Sequence, residues 1–341
     1  MLKNIEQDLI TALQPIRQMT LAICVNHFFE TGIYRKLEKE ATDAASMAKS
    51  LNLEQNRLVG FLNYLQNENL VAKDGDLYSV TAQAQQLATY SAWYTMLVGG
   101  YTQTFVQIGD CLKGEGKWAT RDVGKVGIGS CGISHYDAIP LTKRLMGHMD
   151  APPKNLLDLG CGNAMYLVEF CKTMPGLTAY GVEPSKDACV SAEKIIDQEG
   201  LSNRVKVINK NVRDFINSDH RWEPDVMVLG FILHEILGQE DEAGLIDFLK
   251  TVTNRYPKMN LIVIEVDNQI NNPTIMEHGL SKAYYNPYYL IHEFTEQQLT
   301  TDQWWRELFA KCELDIVHQD YPDNEVDSTR LEIGYLLKRR A

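Results

Sequence analysis

With 341 residues, 45% apolar and 23% charged, the chain has material for two domains and a sizeable core. Its net charge of −12 excludes a nucleic-acid binder built on clustered Lys and Arg, and no apolar run reaches the ~18 residues that span a bilayer. The cysteines at 24, 111, 131, 161, 171, 189 and 312 are odd in number and form no C-x-x-C pair. Free thiols in a reducing, cytoplasmic compartment are therefore expected, not a disulfide framework or a Cys-rich zinc site.

Residues 1–95 read as helices with one hairpin. Leu9, Leu13 and Ile16 share a helical face, and Ala22, Val25, Phe28 and Phe29 follow at similar spacing. Short helices are predicted from Asp43 and over 58–65, then a hairpin over 70–80 with Asp74-Gly75 at its turn. Helix, helix and hairpin make a winged-helix-like pattern. The second helix carries one Arg and much apolar surface, so it points to protein contact and dimerisation, not to DNA.

Residues 96–150 read as a helical linker contributing to a substrate pocket, with a Gly-rich loop at Gly124, Gly127, Gly129 and Gly132. From 151 to 341 short apolar runs alternate with amphipathic ones, which predicts a Rossmann-like, doubly wound α/β domain. The candidate strands are 155–159, 178–182, 205–209, 225–229 and 260–266. Two more, 314–318 and 330–337, have no helix between them and predict an antiparallel C-terminal edge.

The first strand runs into Asp158-Leu159-Gly160-Cys161-Gly162-Asn163, and the second ends on an acid, Glu183. Glycines at that turn let backbone approach a ligand closely, and a strand-end carboxylate can accept both hydroxyls of a ribose. The third glycine of a dinucleotide fingerprint is missing, since Met165 stands there. D-L-G-C-G-N followed by G-V-E-P resembles motifs I and II of the class I S-adenosylmethionine (SAM) methyltransferases. The resemblance covers residues 150–340, and the helical front resembles the dimerisation domain of small-molecule O- and C-methyltransferases. It implies a homodimer, and a SAM site made by Asp158, Gly160, Gly162, Asn163 and Glu183, with Gly230 and Phe231 beyond the fourth strand. Asn211 takes the adenine position, where many relatives carry Asp.

His234 follows the fourth strand, at the edge where ligands bind in doubly wound sheets. Its alternative role is only to cap a helix. Residues 276–294 hold four tyrosines around Asn286-Pro287, with His292 beyond. With the segment 93–101, this is similar to the α-keto acid C-methyltransferases, the group of 2-ketoarginine and phenylpyruvate C-methyltransferases. That resemblance implies a metal ion, iron or zinc, on His234 and His292. It adds His135 as a further catalytic residue and Tyr101, Tyr285 and Tyr289 as substrate contacts. His278 has no assigned role.

The implied reaction is methylation of the β-carbon of an α-keto acid through a metal-stabilised enolate. 2-Ketoarginine is favoured over aliphatic or aromatic keto acids because Glu235, Glu277 and Glu293 lie near the site in sequence. The alternative is a metal-free small-molecule O-methyltransferase with His234 as general base.

Overall fold

The computed structural model describes residues 5–114, 116–218 and 222–340. The chain divides into two compact units, residues 1–103 with 121–132 and residues 104–120 with 133–341. The stretch 96–150, read from sequence as one linker, is thus shared between them. Among the described residues no helix is long and apolar enough to cross a membrane, and all seven cysteines are free thiols.

In the first unit, β1 (Thr42–Asp43), β2 (Val71–Asp74) and β3 (Leu77–Val80) form a sheet in the order β1-β3-β2, preceded and interleaved by helices Ile33–Lys39, Ala44–Leu51 and Gln55–Asn67. Asp43 caps the second of these helices through Ser46 N, and Glu54 caps the third through Asn56 N and Arg57 N. The third helix places Leu58, Leu62 and Leu65 on one face, and all three are buried in the unit's own core beside Phe28, Met47 and Tyr78. Its apolar surface is therefore used internally. Apolar side chains stay outside instead on the chain's first two helices, Ile5–Ala12 and Gln14–Glu30, and at the residue between them: Leu9, Leu13 and Ile16 are 52%, 51% and 58% exposed.

Two local expectations are corrected. The hairpin turn is Gly75-Asp76, one residue later than Asp-Gly, because Asp74 still pairs with Leu77 and Gly75 takes the left-handed φ of +57°. The Gly-rich stretch is no loop: Gly124, Gly127, Gly129 and Gly132 lie in the helix Val123–Ser134. At two of the four, close packing demands the glycine. A Cβ at Gly129 would fall 2.5 Å from Met96 N, and one at Gly132 2.7 Å from Ala92 Cβ.

The second unit is built on seven strands: β4 (Asn155–Leu159), β5 (Thr178–Glu183), β6 (Val205–Asn209), β7 (Val226–Gly230), β8 (Asn260–Val266), β9 (Leu314–Asp320) and β10 (Glu332–Arg339). Their order is β6-β5-β4-β7-β8-β10-β9. Pairing is parallel from β6 to β8, and β10 runs antiparallel to both β8 and β9. These last two strands form the expected antiparallel edge, with β10 beside β8 and β9 outermost.

Both faces of the sheet are covered, which is why its strands read as continuous apolar runs. Leu157, Met227, Leu229, Leu261 and Val263 pack against helices Leu233–Arg255 and Asp302–Lys311. Leu156, Val226, Val228, Ile262 and Ile264 pack against Ala138–Met146 and Met165–Thr173 on the other side. Strand order reverses between β4 and β7, so a ligand crevice belongs beyond their carboxyl ends.

Candidate active site

The chain leaves β4 through Gly160 (φ +85°) and Gly162 (φ +52°), backbone that side chains rarely adopt. At Gly160 space is short too, since a Cβ would lie 2.6 Å from Ile232 Cδ1. Glu183, at the end of β5, is buried and turned to this loop. Its Oε2 accepts from Gly162 N at 3.0 Å and its Oε1 from Ser185 N at 2.8 Å. Gly181 makes the approach sterically feasible, because a Cβ there would fall 2.3 Å from Cys161 Sγ. Burial, with the charge of Glu183 adding to it, pushes the Asp158 carboxyl up to about 7. Burial likewise raises the Cys161 thiol, which leaves it a packing group and not a nucleophile. Asn163 Oδ1 accepts from Met165 N at 3.3 Å, where the next helix begins.

Asn211 has a structural duty: its Oδ1 caps the helix Val212–Ile216 through Arg213 N at 2.9 Å. Beyond β7, Gly230 leads into Phe231, held at φ +56° with its N–H on Ile264 O. This reversal lays Ile232 against Gly160 and starts the helix Leu233–Arg255, which is interrupted at Asp241 (φ +62°).

His234 sits in the first turn of that helix and is 2% exposed. Its Nδ1 lies 2.8 Å from Glu265 Oε2, while Glu265 Oε1 accepts the helix N–H groups of Leu233 at 2.9 Å and His234 at 3.3 Å. One buried carboxylate thus caps the helix and fixes the imidazole with its proton on Nδ1. Nε2 is left as the acceptor, 3.3 Å from Gln297 Nε2. The amide of Gln297 is oriented by its neighbours, Oε1 accepting from Thr295 Oγ1 and Nε2 donating to Glu235 Oε1. Sequence reasoning missed Glu265, although a lone acid in Asn-Leu-Ile-Val-Ile-Glu-Val, a strand buried throughout, was a signal.

His292 is brought to His234. The two rings are edge to face with centroids 5.1 Å apart, and His292 Nδ1 lies 2.7 Å from the Tyr288 carbonyl. Tyr288 also packs on the His292 ring at 4.1 Å. Tyr285 and Tyr289 are buried on the same helical segment, but their hydroxyls are committed within the fold, to Asp327 and to the Asp267 carbonyl. Tyr101 belongs to the first unit, where it is buried and accepts from Arg121. His135 is exposed, whereas the two imidazoles are buried. His278 is exposed as well and accepts from Leu280 N. Of the expected carboxylates, Glu277 pairs with Lys282 on the surface, Glu293 is exposed, and Glu235 alone joins the site, through Gln297.

Among the described residues no group of three or more His, Cys, Asp or Glu side chains is arranged to hold a metal. Each Nδ1 is anchored by an acceptor, which leaves Nε2 as the atom that could ligate a cation, but at His234 the Gln297 amide would first have to turn away from it.

No protein-family model matches the chain. It is 39% identical over 343 residues to a 2-ketoarginine methyltransferase of Streptomyces arginensis, covering 99% of this chain and 98% of the relative. Solved structures share the fold at low identity. Human N-acetylserotonin methyltransferase in complex with SAM aligns over 100% of both chains, with a TM-score of 0.69 and 12% identity. An O-methyltransferase family protein from Burkholderia thailandensis aligns over 100% of this chain and 99% of that one, with a TM-score of 0.63 and 14% identity.

Proposed function

Since the chain belongs to the class I SAM-dependent methyltransferases, in the family of the 2-ketoarginine methyltransferase, we propose that it methylates the β-carbon of an α-keto acid, 2-ketoarginine being favoured. The observation carrying this reading is the buried pair His234 and His292, anchored by Glu265 and the Tyr288 carbonyl at the carboxyl edge of the sheet.

The 160–163 loop and Glu183 bind the adenosyl and methionine parts of SAM, the carboxylate accepting from the ribose hydroxyls. Asn211, its oxygen used in capping, offers the adenine its amide N–H. His234 and His292 are the residues that would hold an iron or zinc ion. Bound there, the cation would draw electron density from the carboxylate and 2-oxo oxygens and acidify the proton on C3. Glu265 keeps His234 in one tautomer throughout, and the anchored His292 fixes the facing wall. Once a base has taken up the C3 proton, the enolate carbon attacks the SAM methyl in line. The carbon–sulfur bond breaks, its electrons stay on sulfur, and S-adenosylhomocysteine leaves. The apolar residues exposed on the first two helices support a homodimer formed through the first unit.

A second reading has one observation in its favour. An imidazole held by a buried carboxylate is the arrangement of a general base, so His234 could instead deprotonate a hydroxyl in a metal-free O-methylation. Labelled SAM offered with a panel of 2-oxo acids and hydroxylated aromatics, with and without chelator, separates the two. Label on C3 that chelation abolishes supports the first; label on oxygen that chelation leaves untouched overturns it.

A further inference from the structure

Three buried carboxylates, one of them some 190 residues from the other two, meet in the second unit. Asp137 precedes the helix Ala138–Met146, Asp327 lies in the loop before β10, and Glu332 opens β10; they are 7%, 4% and 4% exposed. Asp137 and Glu332 are close neighbours, and the charge of Asp137 adds to what burial does to the Glu332 carboxyl. Asp327 Oδ1 accepts from Thr329 N and Oγ1, and its Oδ2 takes the Tyr285 hydroxyl. Glu332 Oε1 is fully buried and has no hydrogen-bond partner. Among the described residues, no lysine or arginine pairs with any of the three.

Such a cluster is costly for the fold. An unpaired buried carboxylate oxygen loses its hydration without compensation, and neighbouring acids oppose one another's ionisation. Burial pushes Asp137 up to about 7 and Glu332 well above the usual carboxylate range, with Asp327 adding to both. A purely structural network would need only enough acceptors for its donors. Here acceptors are in excess and positive charge is missing.

Position decides what cation would fit. Glu332 is paired across the sheet with Val266, next to Glu265, so the cluster lies at the same sheet edge as His234, on the other face. A ladder of rings joins the two places: His292 against Tyr288 at 4.1 Å, Tyr288 against Tyr284 at 5.7 Å, Tyr284 against Tyr285 at 5.0 Å. Tyr285 and His292 are two helical turns apart, about 10 Å along the axis at ~1.5 Å per residue. A keto acid with three methylenes carries its terminal group on the order of 6 Å beyond the keto carbon at bond lengths near 1.5 Å. With its head at the imidazole pair, the methylenes along the aromatic wall would carry that terminus a little over half of this distance toward the carboxylates. A guanidinium suits it best, since it is planar, always charged, offers five N–H donors in a fork, and stacks on rings.

We propose that Asp137, Asp327 and Glu332, with Tyr285, form a subsite for the guanidinium end of the substrate and set its specificity. The assignment rests on the keto-acid reading above. It extends that reading by replacing Glu235, Glu277 and Glu293 as the cation-recognising acids.

The test compares 5-guanidino-2-oxopentanoate with its neutral near-isostere 5-ureido-2-oxopentanoate and with 4-methyl-2-oxopentanoate on the wild-type enzyme. We expect a guanidino preference over ureido of at least about 30-fold in kcat/KM, carried mainly by KM, as befits a buried charge pair. Glu332→Gln should shrink that preference about tenfold or more, with thermal unfolding and SAM calorimetry confirming that the variant is folded. Equal use of the guanidino and ureido acids by the wild type overturns the subsite and leaves the keto-acid reading standing. If no 2-oxo acid is methylated, that reading falls. Calorimetry of the two acids on SAM-loaded protein still decides the subsite, tighter guanidino binding supporting it and equal binding overturning it.

Discussion

Glu265 and His234 form a closed unit: one carboxylate oxygen lies 2.8 Å from the imidazole Nδ1, and the other accepts the N–H groups that begin the helix bearing that imidazole. Glu265→Gln keeps the size but turns an amide donor toward one of these donors. Either the helix end loses its cap or His234 changes tautomer. We expect kcat to fall about 100-fold or more while the SAM dissociation constant stays within about threefold. Equal loss of SAM binding and turnover would mean that Glu265 acts on the fold alone.

Gly181 is a second point where one atom decides. Gly181→Ala would place a methyl 2.3 Å from Cys161 Sγ and 2.8 Å from Leu167 Cδ1, so the loop must move. The expected cost is about 1–3 kcal/mol of stability, with SAM affinity falling at least about tenfold. Adding Cys161→Ala to the variant should recover part of both, as calorimetry and thermal unfolding would show. Gly176→Ala, with nothing within 4 Å of the new methyl, serves as the neutral control.

The sheet was legible because each strand is a short apolar run between turn residues, and the observed bounds of β4, β6 and β8 coincide with those read from sequence. The SAM loop and its facing acid were legible for a similar reason, since Gly160, Gly162 and Glu183 act through local backbone demands. What escaped depends on distant pairing. Gly129 and Gly132 looked like parts of a loop because their reason for being small, the backbone at Met96 and the Ala92 methyl, lies some 30 to 40 residues away in the chain. Asp137, Asp327 and Glu332 each look like an ordinary surface acid until β10 inserts beside β8. Glu265 was readable in principle, since a charge inside a seven-residue apolar run demands a partner, but nothing in the run says that the partner is His234.

The exposed apolar residues of the first two helices should be covered in solution. Leu13→Glu with Ile16→Glu adds charge where side chains are 51% and 58% exposed, so the fold of one chain should be little affected. We expect light scattering after gel filtration to give a dimer for the wild type and a monomer for the double variant. A monomeric wild type at micromolar concentration would remove the dimer from the picture.

The acidic interior gives stability a pH dependence of definite sign. Asp158 and Asp137 are both pushed up to about 7, by burial first, with Glu183 adding at Asp158 and Asp327 at Asp137. An acid whose folded pKa lies above its unfolded value of about 3.9 binds its proton more tightly in the fold than in the unfolded chain. Its contribution is therefore complete below about pH 4 and is lost as pH rises through about 7. Asp43 and Glu54, held low by the backbone N–H groups that they cap, act in the opposite sense and only below that window. The melting temperature of the ligand-free protein should accordingly decline from about pH 5 to pH 8. Asp158→Asn should flatten the decline, raising the pH 8 value relative to wild type by about 3–6 °C. A variant that melts below wild type by the same margin at both ends would show that Asp158 is ionised in the fold throughout, and that its carboxylate is held by a partner instead of being opposed by Glu183.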